Sequence, residues 1–223
     1  ARNPQAGLCS AMTLGMDESG QQLGVRHTPV VSKSASFLFP ARCLALLGKH
    51  GSWFVGNTVV YRRRVLVELG GFDPELRSFA DGFMCQVIAL KHGACFIPEP
   101  LGLERMAENR YSKTIMADSG AALSTVSRAT HLMQTTYRDL FPTDFVDAWS
   151  KRQRYHLGLR TVLTSQRRQV AGLRKLTPSP SSADKIFFAL LRLTMKVEYI
   201  ISRLFLLAHI KHGSSEKVSG SER

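Results

Sequence analysis

Asp81 opens an apolar stretch, Gly82 to Leu90, that closes on His92-Gly93. A carboxylate at a helix start can accept backbone N–H bonds, and a positioned carboxylate can also take a proton from a reacting group. Spacing alone favours the first use. Upstream lie Gly56-Asn57, at the head of an apolar run, then Arg62-Arg63-Arg64 and Gly70-Gly71-Phe72-Asp73. A residue without a side chain at Gly56 would let a ligand approach the backbone closely. The arginines suit a phosphate or another anion, or a solvent-facing helix start, which is the better reading of Arg64. Gly70-Gly71 reads as architecture: the glycines permit positive φ after a helix, Phe72 packs beneath the site, and Asp73 starts a turn with Pro74.

The elements that must hold these residues are legible in outline. Leu8 to Val25 reads as a hairpin around Asp17-Glu18-Ser19-Gly20, with Asp first and Gly fourth as a type I turn prefers. Residues 28–50 read as a loop followed by a helix around Ala41 to Leu47. Trp53 to Tyr61 is apolar and β-branched, the pattern of a buried strand. Arg62 to Leu69 reads as a helix stopped by Gly70-Gly71, and Asp81 to His92 as a second helix stopped by Gly93. Ala94 to Leu103 reads as a short strand interrupted by Pro98 and Pro100, hence an edge strand or a loop near a site. From about Ser112 the pattern is helical, broken at Pro142 and at Pro178-Ser179-Pro180. His92, His131 and His156 lie in or beside these helices as ordinary helix residues.

Gly56, Arg62-Arg63, Gly70-Gly71-Phe72-Asp73, Asp81, Gly93, Pro98-Glu99, and Arg105 with Ser112 follow one another in a set order. That order resembles the second, acceptor-side half of the family-2 glycosyltransferase domain, a GT-A fold. The resemblance covers residues 3–115, and the hairpin corresponds to the stretch just after the donor site. It implies an α/β architecture: an incomplete GT-A-like (Rossmann-like) domain lacking its N-terminal nucleotide-binding half, followed by a helical region. It also implies a role for Asp81. Inverting sugar transfer is an in-line displacement in which the acceptor hydroxyl loses its proton, and the family's acidic motif supplies the base from a helix start. Where the family often has Glu-Asp, this chain has Ala80-Asp81. Arg105 and Asn109 fall on the late strand, where the family's polar residues touch the donor diphosphate. Many relatives carry a His two residues after that Arg, and here Ala107 stands instead. The full domain is expected to use a divalent cation, Mg or Mn, gripped by an Asp-x-Asp. No Asp-x-Asp occurs in this sequence, so no metal ligand is assigned, and the chain alone is expected to be inactive. The start at Ala1 is read as a missing upstream part.

Charge divides the chain. Of the net +13, residues 1–150 carry +2 and residues 151–223 carry +11. A cationic segment seeks phosphate-bearing partners, or forms a solvated face that keeps the protein soluble. Ser181-x-x-Asp184 is a capping box for a last helix, in which Lys185, Arg192, Lys196 and Arg203 align on one face and the rest is mostly apolar. Such a helix fits an anionic membrane interface, or packs on protein with its stripe outward. The expected boundaries are residues 1–115 for the acceptor-side unit, 116–177 for a helical extension, 178–183 for a linker, 184–212 for the basic amphipathic helix and 213–223 for a disordered tail. The uncharged stretches of the tail are shorter than the roughly 20 residues of a membrane span. Cys9, Cys43, Cys85 and Cys95 lack zinc or disulfide spacing and read as reduced thiols. The expected location is cytoplasmic, peripheral at the inner membrane face, with contact through residues 151–212.

Three functions remain from the sequence. The first is a transferase moving a sugar from a nucleotide-sugar donor to a glycan or lipid-linked acceptor. The second is a non-catalytic scaffold of the same shape. The third is a basic nucleic-acid-binding module, less favoured because no zinc-finger or RNP-type signature is present and the glycines read as helix stops.

Overall fold

The structure is a computed structural model that describes residues 2–26, 28–106, 119–164, 182 and 185–186. Contacts divide the chain into two compact units, residues 1–115 with 128–146, and residues 116–127 with 147–223. The first unit is mixed α/β. Its strands are β1 (Leu8–Met16), β2 (Gln22–Val25), β3 (Ser36–Leu38), β4 (Val60–Tyr61) and β5 (Ala94–Arg105). Its helices are α1 (Pro40–His50), α2 (Arg63–Glu68) and α3 (Ala80–His92). The sheet runs β2-β1-β5-β3, with β4 also on β1. Among the described strands only the β1–β5 pair is parallel; β1–β2, β1–β4 and β3–β5 are antiparallel. The five-stranded sheet is therefore mostly antiparallel.

Local chemistry builds the hairpin as its sequence demands. The Asp17 carboxylate accepts from the Ser19 hydroxyl at 2.7 Å and the Gln21 N–H at 2.8 Å, and Gly20 takes φ 91°. These bonds, that of Ser19 first, hold the Asp17 carboxyl below its ordinary pKa. β1 and β2 then pair from Leu14↔Val25.

Helix α3 forms the centre. Every residue from Phe83 to Leu90 is buried, as expected of a helix apolar on all faces. Helix α1 packs against it and contributes Cys43, Leu46 and Leu47. Burial pushes the Cys43 thiol up to about 12. Both glycine stops behave as their position requires: Gly70 and Gly71 have φ 82° and 74° after α2, and Gly93 has φ 74° after α3. A Cβ at Gly93 would also lie 2.7 Å from the Leu38 carbonyl oxygen and 2.6 Å from the Phe37 ring. Close approach and backbone conformation exclude a side chain there together.

Two strand expectations are corrected. Trp53 to Tyr61 is not a buried strand. Trp53 and Val55 are buried, but the chain then turns through a 3₁₀ segment, Gly56–Thr58, and pairs only at Val60–Tyr61. An apolar run without alternation does not distinguish a strand from a loop whose side chains reach the core. Ala94 to Leu103 is not short either, and among the described strands it is an edge only beyond Phe96. It is part of the longest strand, β5, which lies between β1 and β3 at its start. Its prolines are tolerated because the register with β1 jumps from Ala11↔Ile97 to Met12↔Pro100 and then to Thr13↔Gly102. The first bulge takes Pro98 out of the ladder, Pro100 pairs only with Met12 between the two shifts, and β3 ends opposite Phe96, so both prolines stand where the other side of β5 carries no described strand.

Of helix α4 (Ser119–Gln134), the residues from Arg128 onward belong to the first unit. There Arg128 donates to Oδ2 of Asp73 at 2.9 and 3.0 Å, and Tyr137 donates to the Leu69 carbonyl at 3.2 Å. Phe141 stacks on Phe83 with centroids 6.2 Å apart. The second unit contains the start of α4, where Thr125 bonds the Ala121 carbonyl at 3.0 Å, and most of α5 (Thr143–Thr164). The expected break at Pro142 holds, since α5 begins one residue later. The expected linker at 178–183, most of the basic helix 184–212 and the tail lie outside the described residues. No described helix is long and apolar enough to cross a membrane.

Candidate functional site

The chain enters α3 through a constrained turn. Asp73 caps the 3₁₀ stretch Pro74–Phe79 by accepting from the Glu75 N–H at 2.8 Å. Arg77 then adopts φ 52°, ψ −124°, a conformation that costs an L residue about 1–3 kcal/mol. Fully buried Leu76 on one side and the buried helix on the other hold that bend. Phe79 follows, its ring 3.2 Å from where a Cβ on Gly82 would stand.

Asp81 is the second residue of α3, not its cap; the capping position is Phe79, which makes no side-chain cap bond. Asp81 is exposed. Its Oδ1 accepts from the Gly82 N–H at 2.7 Å. Its Oδ2 lies where Gly56 has no side chain, 2.7 Å from the ideal position of a Cβ there. The open space at Gly56 is thus occupied by the carboxylate itself.

The neighbours of Gly56 hold the turn against the sheet. Thr58 donates to the Ala11 carbonyl at 2.8 Å and accepts from the Ala11 N–H at 3.3 Å. Asn57 donates to Oγ1 of Thr13 and to the Leu103 carbonyl, both at 3.0 Å. Thr13 in turn donates to the Gly102 carbonyl at 2.8 Å. These side chains satisfy backbone groups that the β1–β5 bulge takes out of the ladder. Asn57, a candidate for binding a ligand, is engaged in this way as a plug between the turn and the sheet.

On the other side of Asp81, the chain brings in Tyr61 from β4. Its hydroxyl lies 3.2 Å from Sγ of Cys85, one helical turn beyond Asp81, and its ring meets Phe72 edge-on at 5.6 Å and 74°. Burial first, then the neighbouring Cys85 and the Asp81 carboxylate, raise the Tyr61 hydroxyl far above its ordinary value. Burial likewise pushes the Cys85 thiol up to about 12, with Asp81 adding to it and the Tyr61 bond opposing it. Both groups stay protonated beside the carboxylate. Phe72 does not pack wholly beneath the site; 45% of it is exposed.

The remaining candidates lie elsewhere. The N–H of Arg62 donates to the Gly7 carbonyl at 2.8 Å and its Nε to the Ala6 carbonyl at 3.0 Å. Its charge acts on His92, whose pKa is lowered by burial first and then by Lys91, Arg64 and Arg62. His92 ends α3, about 16 Å along the axis from Asp81 at ~1.5 Å per residue. Arg62 therefore serves the far end of the helix. Arg63 is exposed on the first turn of α2. Arg105 donates to the carbonyls of Asp17 and Glu18 at 3.2 and 2.7 Å, closing the hairpin turn. Asn109 lies outside the described residues.

The structure thus brings together Asp81, Gly56 and Asn57, and adds Thr13, Thr58, Tyr61 and Cys85, which the sequence did not single out. Only the spacing Asp81–Cys85, one turn apart, could have signalled any of them. All four cysteines are free thiols. Among the described residues no three His, Cys, Asp or Glu side chains converge on one point. No protein-family model, no curated protein and no solved structure matches the chain.

Proposed function

We propose that this chain supplies the acceptor side of an inverting, GT-A-type glycosyltransferase, with Asp81 as the general base. The observation that carries the reading is the disposition of the Asp81 carboxylate: exposed, fixed at one oxygen by the Gly82 N–H, and offering the other beside a residue without a side chain. A base needs a free oxygen, a fixed direction and access for the group it deprotonates. Asp81 has all three.

In the proposed step the acceptor oxygen attacks the anomeric carbon from the side opposite the diphosphate. The new C–O bond forms as the bond from that carbon to the diphosphate oxygen breaks, the nucleoside diphosphate leaves with the electron pair, and configuration inverts. The acceptor proton passes to Oδ2 of Asp81. Tyr61 and Cys85, both protonated, add no charge that would compete for it. The diphosphate would be held by a donor-binding half, where a divalent cation would neutralise its charge, and the acceptor is a glycan or a lipid-linked sugar. Contact with an anionic membrane through residues 151–212 is part of the same proposal and rests on their charge.

The test is sugar transfer by the protein with its donor-binding half present, comparing wild type with Asp81→Asn. The amide keeps the shape and cannot take the proton, so the rate is expected to fall by about 10²–10⁴-fold. An Asp81→Asn protein that transfers at the wild-type rate removes the base and leaves the scaffold reading. Salt-dependent binding to generic duplex DNA by the unmodified chain would favour the nucleic-acid module instead.

A further inference from the structure

We infer that Cys9 and Cys95 form a redox-active dithiol, which a low-molecular-weight disulfide oxidises to a reversible Cys9–Cys95 bond; the inference is independent of the role of Asp81. The two thiols are far apart in sequence and meet only through the β1–β5 ladder, where Cys9 pairs with Cys95 in parallel register. Alternation sets both on one face of the sheet. Their chain neighbours Leu8, Ser10, Ala94 and Phe96 are all buried, and Tyr61, which pairs with Leu8, reaches Cys85 on α3. The face of those neighbours is the one α3 covers. Cys9 and Cys95 turn to the other, in a row that runs Val60, Cys9, Cys95, Phe37 across β4, β1, β5 and β3. Val60 at one end of the row is 70% exposed, and both cysteines are half-buried free thiols.

Spacing permits the bond. Neighbouring strands stand about 4.7–4.9 Å apart, within the roughly 4.4–6.8 Å that a disulfide spans between Cα atoms. Paired side chains rise side by side, so their Cβ atoms keep about that spacing, wider than the mean of ~3.8 Å in a disulfide. A bond closed under such strain, on a face that solvent reaches, is of the easily reduced kind. Each thiol also senses its surroundings: burial first and then Cys95 raise the pKa of Cys9, while burial raises that of Cys95 against a bond from the Asn3 side chain. Cys95 has the polar partner and makes the first attack. Its proton passes to solvent, its thiolate attacks one sulfur of the small disulfide, and that S–S bond breaks to release a small thiolate, which takes up a proton. Cys9, deprotonated in turn, attacks Sγ of Cys95 and expels the second small thiol. The protein loses two electrons and two protons, and the small disulfide becomes two thiols. Cys43 and Cys85 are fully buried and take no part.

The test is incubation of the native full chain with oxidised glutathione, followed by alkylation, trypsin and mass spectrometry. Trypsin leaves the four cysteines on separate peptides, with Cys9 in Asn3–Arg26 and Cys95 in His92–Arg105. These two peptides are expected to appear joined, from a chain that runs as a monomer on a non-reducing gel. Dithiothreitol added without denaturant is expected to release both. In Cys9→Ser the reaction is expected to stop at glutathione held on Cys95, and far-UV circular dichroism checks that this variant is folded. Free thiols at both positions after prolonged oxidation, a bond that forms only in urea, or links between chains in place of the internal one each overturn the inference. A folded Cys9→Ser protein whose Cys95 takes up no glutathione does so too, because the first attack is then not made by Cys95.

Discussion

Oδ2 of Asp81 lies 2.7 Å from the point where a Cβ on residue 56 would stand. The contact joins two segments that approach from different directions, the 3₁₀ turn at Gly56–Thr58 and the first turn of α3. It makes the glycine a condition for where the carboxylate can be, with no demand on the backbone conformation of residue 56.

Gly56→Ala should therefore separate function from stability. The obstructed atom is the end of a short side chain on the surface, which can rotate away, so unfolding free energy should change by less than about 1 kcal/mol. The rotation carries Oδ2 off its line, and under the proposed role of Asp81 a misplaced base costs about 10–100-fold in rate. Denaturant unfolding and transfer by the protein with its donor-binding half, measured on one preparation, check the pair of outcomes. A large loss of stability with the rate retained would show that the turn, not the carboxylate, gives way.

Thr58→Val addresses the plug beneath that turn. The substitution keeps the shape and removes the hydroxyl that serves both the N–H and the carbonyl of Ala11. Part-buried backbone groups left without partners cost about 1–3 kcal/mol, so the urea midpoint should fall while the cooperativity of unfolding is kept. Thr58→Ser, which retains the hydroxyl, should recover most of the loss. Equal midpoints for the Thr and Val proteins would mean that solvent reaches Ala11 and that the plug is dispensable.

How much of this was legible follows from where the information resides. The hairpin turn, the stops at Gly70-Gly71 and Gly93 and the span of α3 depend on a residue's own φ and on its near neighbours, and those the sequence spells out. β3 went unread because three residues, Ser36 to Leu38, become a strand only by pairing with Ala94 to Phe96. The turn at Gly56 was masked by the apolar side chains of Trp53 and Val55, which reach the core from a loop. Asp81 and Gly56 could be nominated singly, but their contact could not. Neither could the roles of Arg62 and Arg105, because each binds carbonyls brought near only by the folded sheet.

The Asp73–Arg128 pair tests how a surface ion pair and a cap divide one carboxylate. Oδ1 of Asp73 caps the Glu75 N–H and Oδ2 receives Arg128. Their side chains are 22% and 35% exposed, so solvent weakens the charge term to below about 1 kcal/mol. The cap contributes about 1 kcal/mol. Asp73→Asn keeps an oxygen for Glu75 and should cost less than Asp73→Ala. A double-mutant cycle with Arg128→Ala should return a small coupling that shrinks further as salt is added. A coupling above about 2 kcal/mol would mean that the pair is better shielded than its exposure indicates.

The buried thiols predict the shape of the alkaline limb of stability. Cys43 and Cys85 are 0% and 1% exposed, and burial holds both near 12, against about 8.5 for a free thiol. The folded state therefore keeps these protons more tightly than the unfolded state does. The stabilisation they give is complete below about pH 8.5 and is lost as the pH rises from there toward 12. Within that window the unfolded chain binds fewer protons, so unfolding free energy should fall with pH by at most about 1.4 kcal/mol per unit for each thiol. Urea midpoints from pH 7 to 10 measure the slope, and a Cys43→Ala, Cys85→Ala protein should show a flatter one whatever its stability at neutral pH. Labelling gives an independent reading: at pH 8 a thiol reagent should modify Cys43 and Cys85 only at the rate of unfolding, while the half-buried Cys9 and Cys95 react first. If all four thiols react at one rate in the folded protein, the core around α3 opens more readily than its packing implies, and the alkaline slope should then be absent as well.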